Sequence, residues 1–336
     1  MVTIKEVSEL AGVSLATVSR VINGSDKVSE KTRLTVEKAM QQLGYKPNTI
    51  AQSLASNRSN SVGVMVSELI GPFYGPMMAG IEHRLRQAHK HVIIAAGHSS
   101  EQDEIEGIEF LLSRRCDALI LHVEAVSDDY LISLCQGPVP IVLLNRKIDA
   151  VAEHCISLNN HLGGYLATQE IVRNGHRRIA CITGPIWKRD AKERFEGYQQ
   201  ALAEAGIAFD ASLVAEGDFN EPSGIAGMQK LLAAAPDLTA VFCGNDQMAS
   251  GAVDVLRQHK LKIPEQVSVI GFDDATFAYY LFPKLTTVHY PVQDMGEMAA
   301  NWVMKKVYKL KTLPLLQVFE PYLVLRDSVS KRKKWK

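Results

Sequence analysis

Over the first 45 residues the apolar positions recur at helical spacing. Ile4, Val7, Leu10 and Ala11 mark one face of TIKEVSELAG, a period that predicts a short amphipathic helix. Thr3 and Glu6 have the spacing of a capping box, in which a hydroxyl and a carboxylate each satisfy an orphan backbone N–H, so the helix should begin there. Gly12 tolerates the left-handed turn that would end it, and Ser14 can cap a second helix running through Val21 or Ile22. Two short helices joined by a tight turn make a helix-turn-helix. In the second, Val18 and Val21 should face back toward Ile4, Val7 and Val13, leaving Leu15, Ala16, Thr17, Ser19 and Arg20 outward. A third helix should start at Ser29, run through Leu34, Val36, Met40 and Leu43, and stop at Gly44.

After Tyr45 and Pro47 comes NTIAQSLAS, with Ile50, Ala51, Leu54 and Ala55 at helical spacing. It is shorter than the roughly 12–15 residues an isolated helix needs in water, so it should order only against a partner. Leu54 is an apolar group able to wedge between base steps in a minor groove. From Val62 onward the pattern changes. Short β-branched runs alternate with helical stretches: VGVMVS (62–67), HVIIAA (91–96), ALILHV (118–123), VPIVLL (139–144), RIACIT (178–183), TAVFC (239–243) and VSVIGF (267–272). Runs this continuous predict strands buried on both faces, hence parallel sheets flanked by helices. The body is too long for one usual open sheet, so an α/β architecture of two doubly wound parallel-sheet lobes is expected, although no sequence repeat marks the division.

Composition changes the picture only through its distribution. The 336 residues, 46% hydrophobic and 22% charged, are those of an ordinary folded protein of two or three domains. Zero net charge taken alone argues against nucleic acid. Residues 1–60, however, hold eight Lys and Arg against five Asp and Glu, and the tail KRKKWK adds five positive charges; because the whole chain is neutral, residues 61–330 carry −8. A mildly basic head therefore precedes an acidic body. The tail reads as a solvated terminus. Cys116, Cys135, Cys155, Cys181 and Cys243 are odd in number and widely spaced, with no CxxC pair and no His at ligand spacing, so no metal is expected. MVTIKEVSEL lacks a signal peptide's apolar core and no run approaches a membrane span, which predicts a cytoplasmic protein with no membrane partner.

The outward residues of the second helix suit DNA. Ser14, Thr17 and Ser19 are short hydroxyl donors for phosphates, Arg20 can pair with guanine O6 and N7, and Leu15 and Ala16 can meet thymine methyls or read shape. In the body, polar residues cluster where strand runs end, and ligands of open α/β sheets bind beyond those carboxyl ends. Asn145 and Arg146 end VPIVLL, Asn245 and Asp246 follow TAVFC, and Asp273 and Asp274 end VSVIGF. Such groups each engage two neighbouring hydroxyls, while Phe73, Tyr74 and Phe219 offer flat faces for sugar C–H groups. With Arg194 on the following amphipathic stretch, they suit a neutral polyol. GxSxG, GxxxxGK[ST], HExxH and GxGxxG are all absent, so neither catalytic residues nor a cofactor is expected. His83, His89, His91, His98 and His122 read as helix-surface or loop residues, and Trp187 as a loop or cleft-rim aromatic.

TIKEVSELAGVSLATVSRVING, VSEKTR, LGYKPN and NTIAQSLA closely resemble the lactose/galactose repressor family of bacterial transcription regulators. GPFYGPM, RRCDALI, VLLNR, GHRRIACITGP, RFEGYQQAL, TAVFCGNDQMASGA, VSVIGFDD, LTTVHYP and LVLRDSV extend the likeness over nearly the whole chain, in the family's order. FYG, RRCDALILH, HCISLNN and LTTVHYP resemble its galactose branch, which implies D-galactose as effector; Leu15 stands where that branch has valine. The resemblance implies a helix-turn-helix domain over 1–47, a hinge helix and linker over 48–60, a periplasmic-binding-protein-like effector-binding and dimerisation domain over 61–330, and a basic tail over 331–336. It places Thr3, Ser14, Thr17, Ser19 and Asn23 on phosphates, Leu15, Ala16 and Arg20 in the major groove, and Asn48, Ala51, Gln52, Leu54 and Ala55 in the minor groove of a double-stranded operator. It places Phe73, Tyr74, Asn145, Arg194, Phe219, Asn245 and Asp273 against the sugar. The family's tetramers carry a heptad-bearing helix that does not follow LRDSVS here, so a homodimer is expected, its half-sites about one helical turn apart. The rival readings are a different sugar or a corepressor as effector, a sugar-binding transport protein, and, more distantly, a sugar kinase.

Overall fold

The computed structural model describes residues 2–22, 27–46 and 58–332 and forms two units, Met1–Ser61 and Val62–Lys336. Among the described residues the first holds three helices, α1 (Ile4–Ala11), α2 (Leu15–Ile22) and α3 (Glu30–Leu43). At the start of α1 the Thr3 hydroxyl accepts from the Glu6 N–H at 3.4 Å, and the Glu6 carboxylate accepts from the Thr3 N–H at 2.7 Å. Gly12 ends α1 at φ 64°, a left-handed conformation that a Cβ would strain. Ser14 accepts from the Thr17 N–H at 3.2 Å and Ser29 from the Thr32 N–H at 3.3 Å. Val7, Ala11, Val18, Val36 and Ala39 form the shared core. Leu10 and Leu34 stay 46% and 57% exposed, because three helices this short cannot cover every apolar position.

The second unit runs through β1 (Ser61–Val66), α4 (Tyr74–Gln87), β2 (His91–Ala96), α5 (Glu101–Ser113), β3 (Ala118–Leu121), α6 (Asp128–Cys135), β4 (Ile141–Leu144) and β5 (Cys155–Leu158). It continues through α7 (Asn160–Arg173), β6 (Ile179–Thr183), α8 (Arg189–Glu204), β7 (Val214–Glu216), α9 (Glu221–Ala234), β8 (Ala240–Cys243), α10 (Asp246–Gln258), β9 (Ser268–Asp273) and β10 (Thr286–His289). The last elements are α11 (Val292–Lys306), β11 (Val318–Phe319) and β12 (Tyr322–Val324). One sheet is ordered β2-β1-β3-β4-β5-β11 and the other β7-β6-β8-β9-β10-β12. The strand order is thus the same twice, although no sequence repeat announces it.

Within each sheet the registered pairs run parallel except β12, which is antiparallel to β10. The chain passes between lobes after β5, after β10 and between β11 and β12, so three connections join the two lobes, the arrangement of a hinge. Apolar runs are buried as their continuity requires in β1, β3, β4, β6, β8 and β9, but β2 is half-exposed. It lies at a sheet edge, where Ile94 is open to solvent. Strands β5, β7, β10, β11 and β12 lie outside the runs recognised in sequence; β3, β4 and β8 are as short but wholly apolar, whereas Ser157, Glu216, Thr286 and Thr287 interrupt β5, β7 and β10, and β11 and β12 have only two and three residues.

Candidate functional site

A cavity of about 410 Å³ opens between the lobes, beyond the carboxyl ends of their strands, where an α/β sheet leaves backbone polar groups and loop side chains unshared. Phe73, Tyr74 and His122 come from the first lobe; Arg194, Phe219, Asn245 and Asp273 come from the second.

Arg194 is carried into the cavity by α8 and is almost wholly buried. Its guanidinium lies 3.8 Å from the centroid of the Phe272 ring. Nε donates to Asn160 Oδ1 at 2.9 Å and Nη1 to the Gly244 carbonyl at 2.7 Å; Asp273 and Asp190 stand 3.6 and 3.7 Å away. The approach is set by Gly164 on α7, where a Cβ would run into the Arg194 backbone. Asp273 ends β9 at φ 106°. Its Oδ1 is buried without a hydrogen-bond partner among the described residues. Burial pushes this carboxyl up to about 7, with Arg194 opposing and Asp190 adding to the rise.

Asn245 caps α10, accepting from the Met248 N–H at 2.9 Å, and its amide donates to the Phe219 carbonyl at 2.8 Å. It thereby fixes Phe219, whose φ of 72° would otherwise be unfavourable. Phe73 and Tyr74 meet edge to face at 5.2 Å, and Phe73 packs on Tyr290 at 5.0 Å. Burial pushes the Tyr74 phenol upward, aided by the Glu124 charge. A rigid aromatic wall thus faces a set of polar groups.

Six of the seven residues expected at the ligand line this cavity. Asn145 does not; it lines a neighbouring cavity of about 290 Å³, where its amide donates to Asp190 Oδ2 and accepts from the Asn160 amide, both at 3.4 Å. The other strand-end groups tie the fold. Arg146 donates to Asp128 and to the Glu124 and Val126 carbonyls. Asp246 accepts from Thr287 Oγ1 at 2.6 Å and from the Ala275 N–H at 2.8 Å, and Asp274 pairs with His289 and Arg326.

His122, read from sequence as a surface or loop residue, is instead buried in the cavity wall. Its Nδ1 lies 3.4 Å from Ser67 Oγ, and its Nε2 has no partner among the described residues. Its place directly after the buried run ALIL is the one signal that could have found it. Sequence reasoning also passed over Ser99, Glu124, Lys188, Asp190 and Asp218, which line the same space.

On the helix-turn-helix, Thr3, Ser14, Leu15, Ala16 and Arg20 are exposed, and Thr17 and Ser19 are half-buried. The Ser14 and Thr17 hydroxyls lie 2.9 Å apart. Asn23, Asn48, Ala51, Gln52, Leu54 and Ala55 lie outside the described residues. Among the described residues no helix is long and apolar enough to cross a membrane, and no group of three His, Cys, Asp or Glu is placed to hold a metal.

A helix-turn-helix unit together with a two-lobed body enclosing a polar cavity defines a ligand-responsive, DNA-binding regulator. Residues 3–48 match the model for bacterial regulatory proteins of the lacI family, and residues 168–329 match that for a periplasmic binding protein-like domain. The HTH-type transcriptional regulator GalR of Escherichia coli (strain K12) is 40% identical over 330 residues, 98% of this chain and 96% of the relative. Of solved structures, a transcriptional regulator CelR–cellobiose complex is 36% identical with a TM-score of 0.72, covering 98% of this chain and 100% of that one. The lac repressor dimer bound to operator and the anti-inducer ONPF is 29% identical with a TM-score of 0.87, covering 98% and 99%. The chain belongs to the LacI family of bacterial regulatory proteins; it is a DNA-binding transcriptional regulator, not an enzyme.

Proposed function

We propose that this protein represses sugar-utilisation genes in the cytoplasm, gripping a palindromic operator as a homodimer and releasing it when D-galactose enters the inter-lobe cavity. The observation that carries the reading is the buried Asp273 Oδ1, which has no hydrogen-bond partner among the described residues and lies 3.6 Å from Arg194. An ionised carboxylate accepts from two hydroxyls and a guanidinium donates to others, so vicinal sugar hydroxyls satisfy what the wall's own side chains leave unpaired. Phe73, Tyr74 and Phe219 supply the flat faces, Asn245 holds Phe219 in place, and Asn145 acts on the ligand only through Asp190. Galactose is favoured over other sugars by the likeness to GalR.

On DNA, Thr3, Ser14, Thr17, Ser19 and Asn23 hold phosphates. Leu15, Ala16 and Arg20 read the major groove, and the segment over 48–60 reads the minor groove with Leu54 as its wedge. The similar lac repressor is a dimer, and the exposed aromatics Tyr280 and Phe282 of the second lobe offer an apolar patch for a second copy to cover. A sugar that contacts both lobes favours one arrangement of the hinge, and differential contact of this kind couples to DNA affinity by about 1–3 kcal/mol.

Operator-fragment binding followed by fluorescence anisotropy, with galactose, glucose, ribose and cellobiose added in turn, tests the reading. Galactose should weaken binding by about 5- to 150-fold. Weakening by another sugar alone reassigns the effector, strengthening by galactose makes it a corepressor, and indifference to every sugar refutes the switch.

A further inference from the structure

We infer that the cavity admits uncharged sugars and rejects acidic ones, and that Glu124 enforces this choice by keeping Lys188 occupied across the cleft. The inference rests on the proposed sugar site and specifies its ligand's charge. Lys188 precedes α8 in the second lobe. Its Nζ lies 2.5 Å from Glu124 Oε2 and 3.1 Å from Ser99 Oγ, both in the first lobe, and Ser99 donates to the same carboxylate at 2.6 Å. The two charged side chains are only 12% and 13% exposed. The charge of Arg194, the other basic side chain of the wall, is offset by Asp273 and Asp190 at 3.6 and 3.7 Å, and its Nε and Nη1 already donate to Asn160 and the Gly244 carbonyl.

The wall therefore presents no Lys or Arg whose charge is unmatched, while Glu68, Glu124, Asp190, Asp218 and Asp273 outnumber Lys188, Arg194 and a protonated His122 by five to three. An entering carboxylate would lose its water against like charge, whereas hydroxyls find acceptors; repulsion of this kind is what discriminates between ligands of equal shape. Glu124 is also fixed. The backbone N–H groups of Glu124, Ala125 and Val126 donate to the buried Glu104 carboxylate at 2.8–2.9 Å, and Arg146 donates to the Glu124 and Val126 carbonyls at 3.0 Å. The loop cannot withdraw the carboxylate to free Lys188 without breaking this cradle. Burial would raise the Glu124 carboxyl, but the His122 and Lys188 charges hold it below the ordinary range.

Isothermal titration of the full chain with D-galactose and D-galacturonate, which differ by one carboxylate, tests the inference. The native chain should bind galactose and bind galacturonate at least about tenfold more weakly. Glu124→Gln should raise the galacturonate-to-galactose affinity ratio by on the order of tenfold or more, the worth of a hydrogen bond to a charged group, and adding Lys188→Gln should abolish that gain. Native binding of galacturonate as tight as that of galactose, or a ratio unmoved by Glu124→Gln, overturns it. The exchange Glu124→Lys with Lys188→Glu keeps a pair across the cleft and should reject galacturonate; its acceptance would equally overturn the inference, and this arm serves if Glu124→Gln does not fold. A sugar-free arm separates the two readings: inorganic phosphate should raise the melting temperature of Glu124→Gln but not of the native chain or the double glutamine variant. Failure of that arm removes the charge inference whatever the effector, whereas its success without galactose binding removes only the galactose reading.

Discussion

Replacing Asp273 by asparagine keeps the side chain's shape and removes its charge, so it separates what the carboxylate does for the ligand from what it costs the fold. Burial raises this group from the ordinary 3.8 to about 7. At about 1.4 kcal/mol per pH unit, the ionised form is disfavoured by about 4 kcal/mol in the fold. The side chain keeps 13% exposure, and relaxation and water reduce such penalties, so ~2 kcal/mol is the working figure. Between about pH 4 and 7 the folded chain holds a proton that the unfolded chain has released. Stability therefore falls as pH rises through that window, and the whole cost is present above it. Asp273→Asn, which cannot ionise, should match the native chain near pH 4 and exceed it by ~2 kcal/mol at pH 8. Urea unfolding from pH 4 to 8.5, followed by the fluorescence of Trp187 and Trp302 in the two-lobed unit, reads the difference. The same variant should bind sugar at least about tenfold more weakly, having exchanged a charged acceptor for a neutral one. A variant no more stable than the native chain at pH 8, or equally more stable at pH 4 and 8, would refute the reasoning.

Other expected outcomes rest on single contacts. Glu104→Gln sets an amide against three N–H donors of the loop over 124–126 and should cost about 2–3 kcal/mol, visible as a fall in the melting temperature of the two-lobed unit. Gly164→Ala drives a methyl into the Arg194 backbone; an overpacking cost of about 1–3 kcal/mol should appear in urea unfolding together with weaker sugar binding, because α7 can no longer approach α8 at the arginine. Arg20→Ala should cost about 1–3 kcal/mol in operator affinity and relax preference at one base pair, measured by anisotropy on a panel of single-base operator variants; a uniform loss across that panel would make Arg20 a phosphate contact instead.

The helix-turn-helix was readable because its signals are local. A hydroxyl three residues before a carboxylate, and a glycine where φ must be positive, need no tertiary partner to act, and Thr3, Glu6, Gly12 and Ser14 take the roles their spacing implies. The cavity was half readable for the opposite reason. A carboxylate or amide at a strand end can face a ligand or tie its own βα turn, and only distant residues decide which. Asp274 is drawn away by His289 and Arg326, and Asp246 by Thr287. Among the described residues the Asp273 side chain finds only an arginine at 3.6 Å and is left with an oxygen lacking a hydrogen bond. Asn145 has the residue type of a ligand contact, yet Asp190 and Asn160 take up its amide.

His122 and the Glu124–Lys188 pair escaped for a further reason, since their significance exists only once two lobes of one strand order face each other. Each lobe alone presents ordinary loop residues. Brought together, they place an aromatic wall, two charge-matched cations and an excess of carboxylates around one space, and in the proposed switch it is this shared wall that would let a ligand favour one hinge arrangement over another. A ligand satisfied wholly by Arg194 and Asp273 would hold the second lobe and leave the hinge free. The proposed switch therefore needs the first-lobe groups Phe73, Tyr74 and His122 as much as the arginine and aspartate of the second.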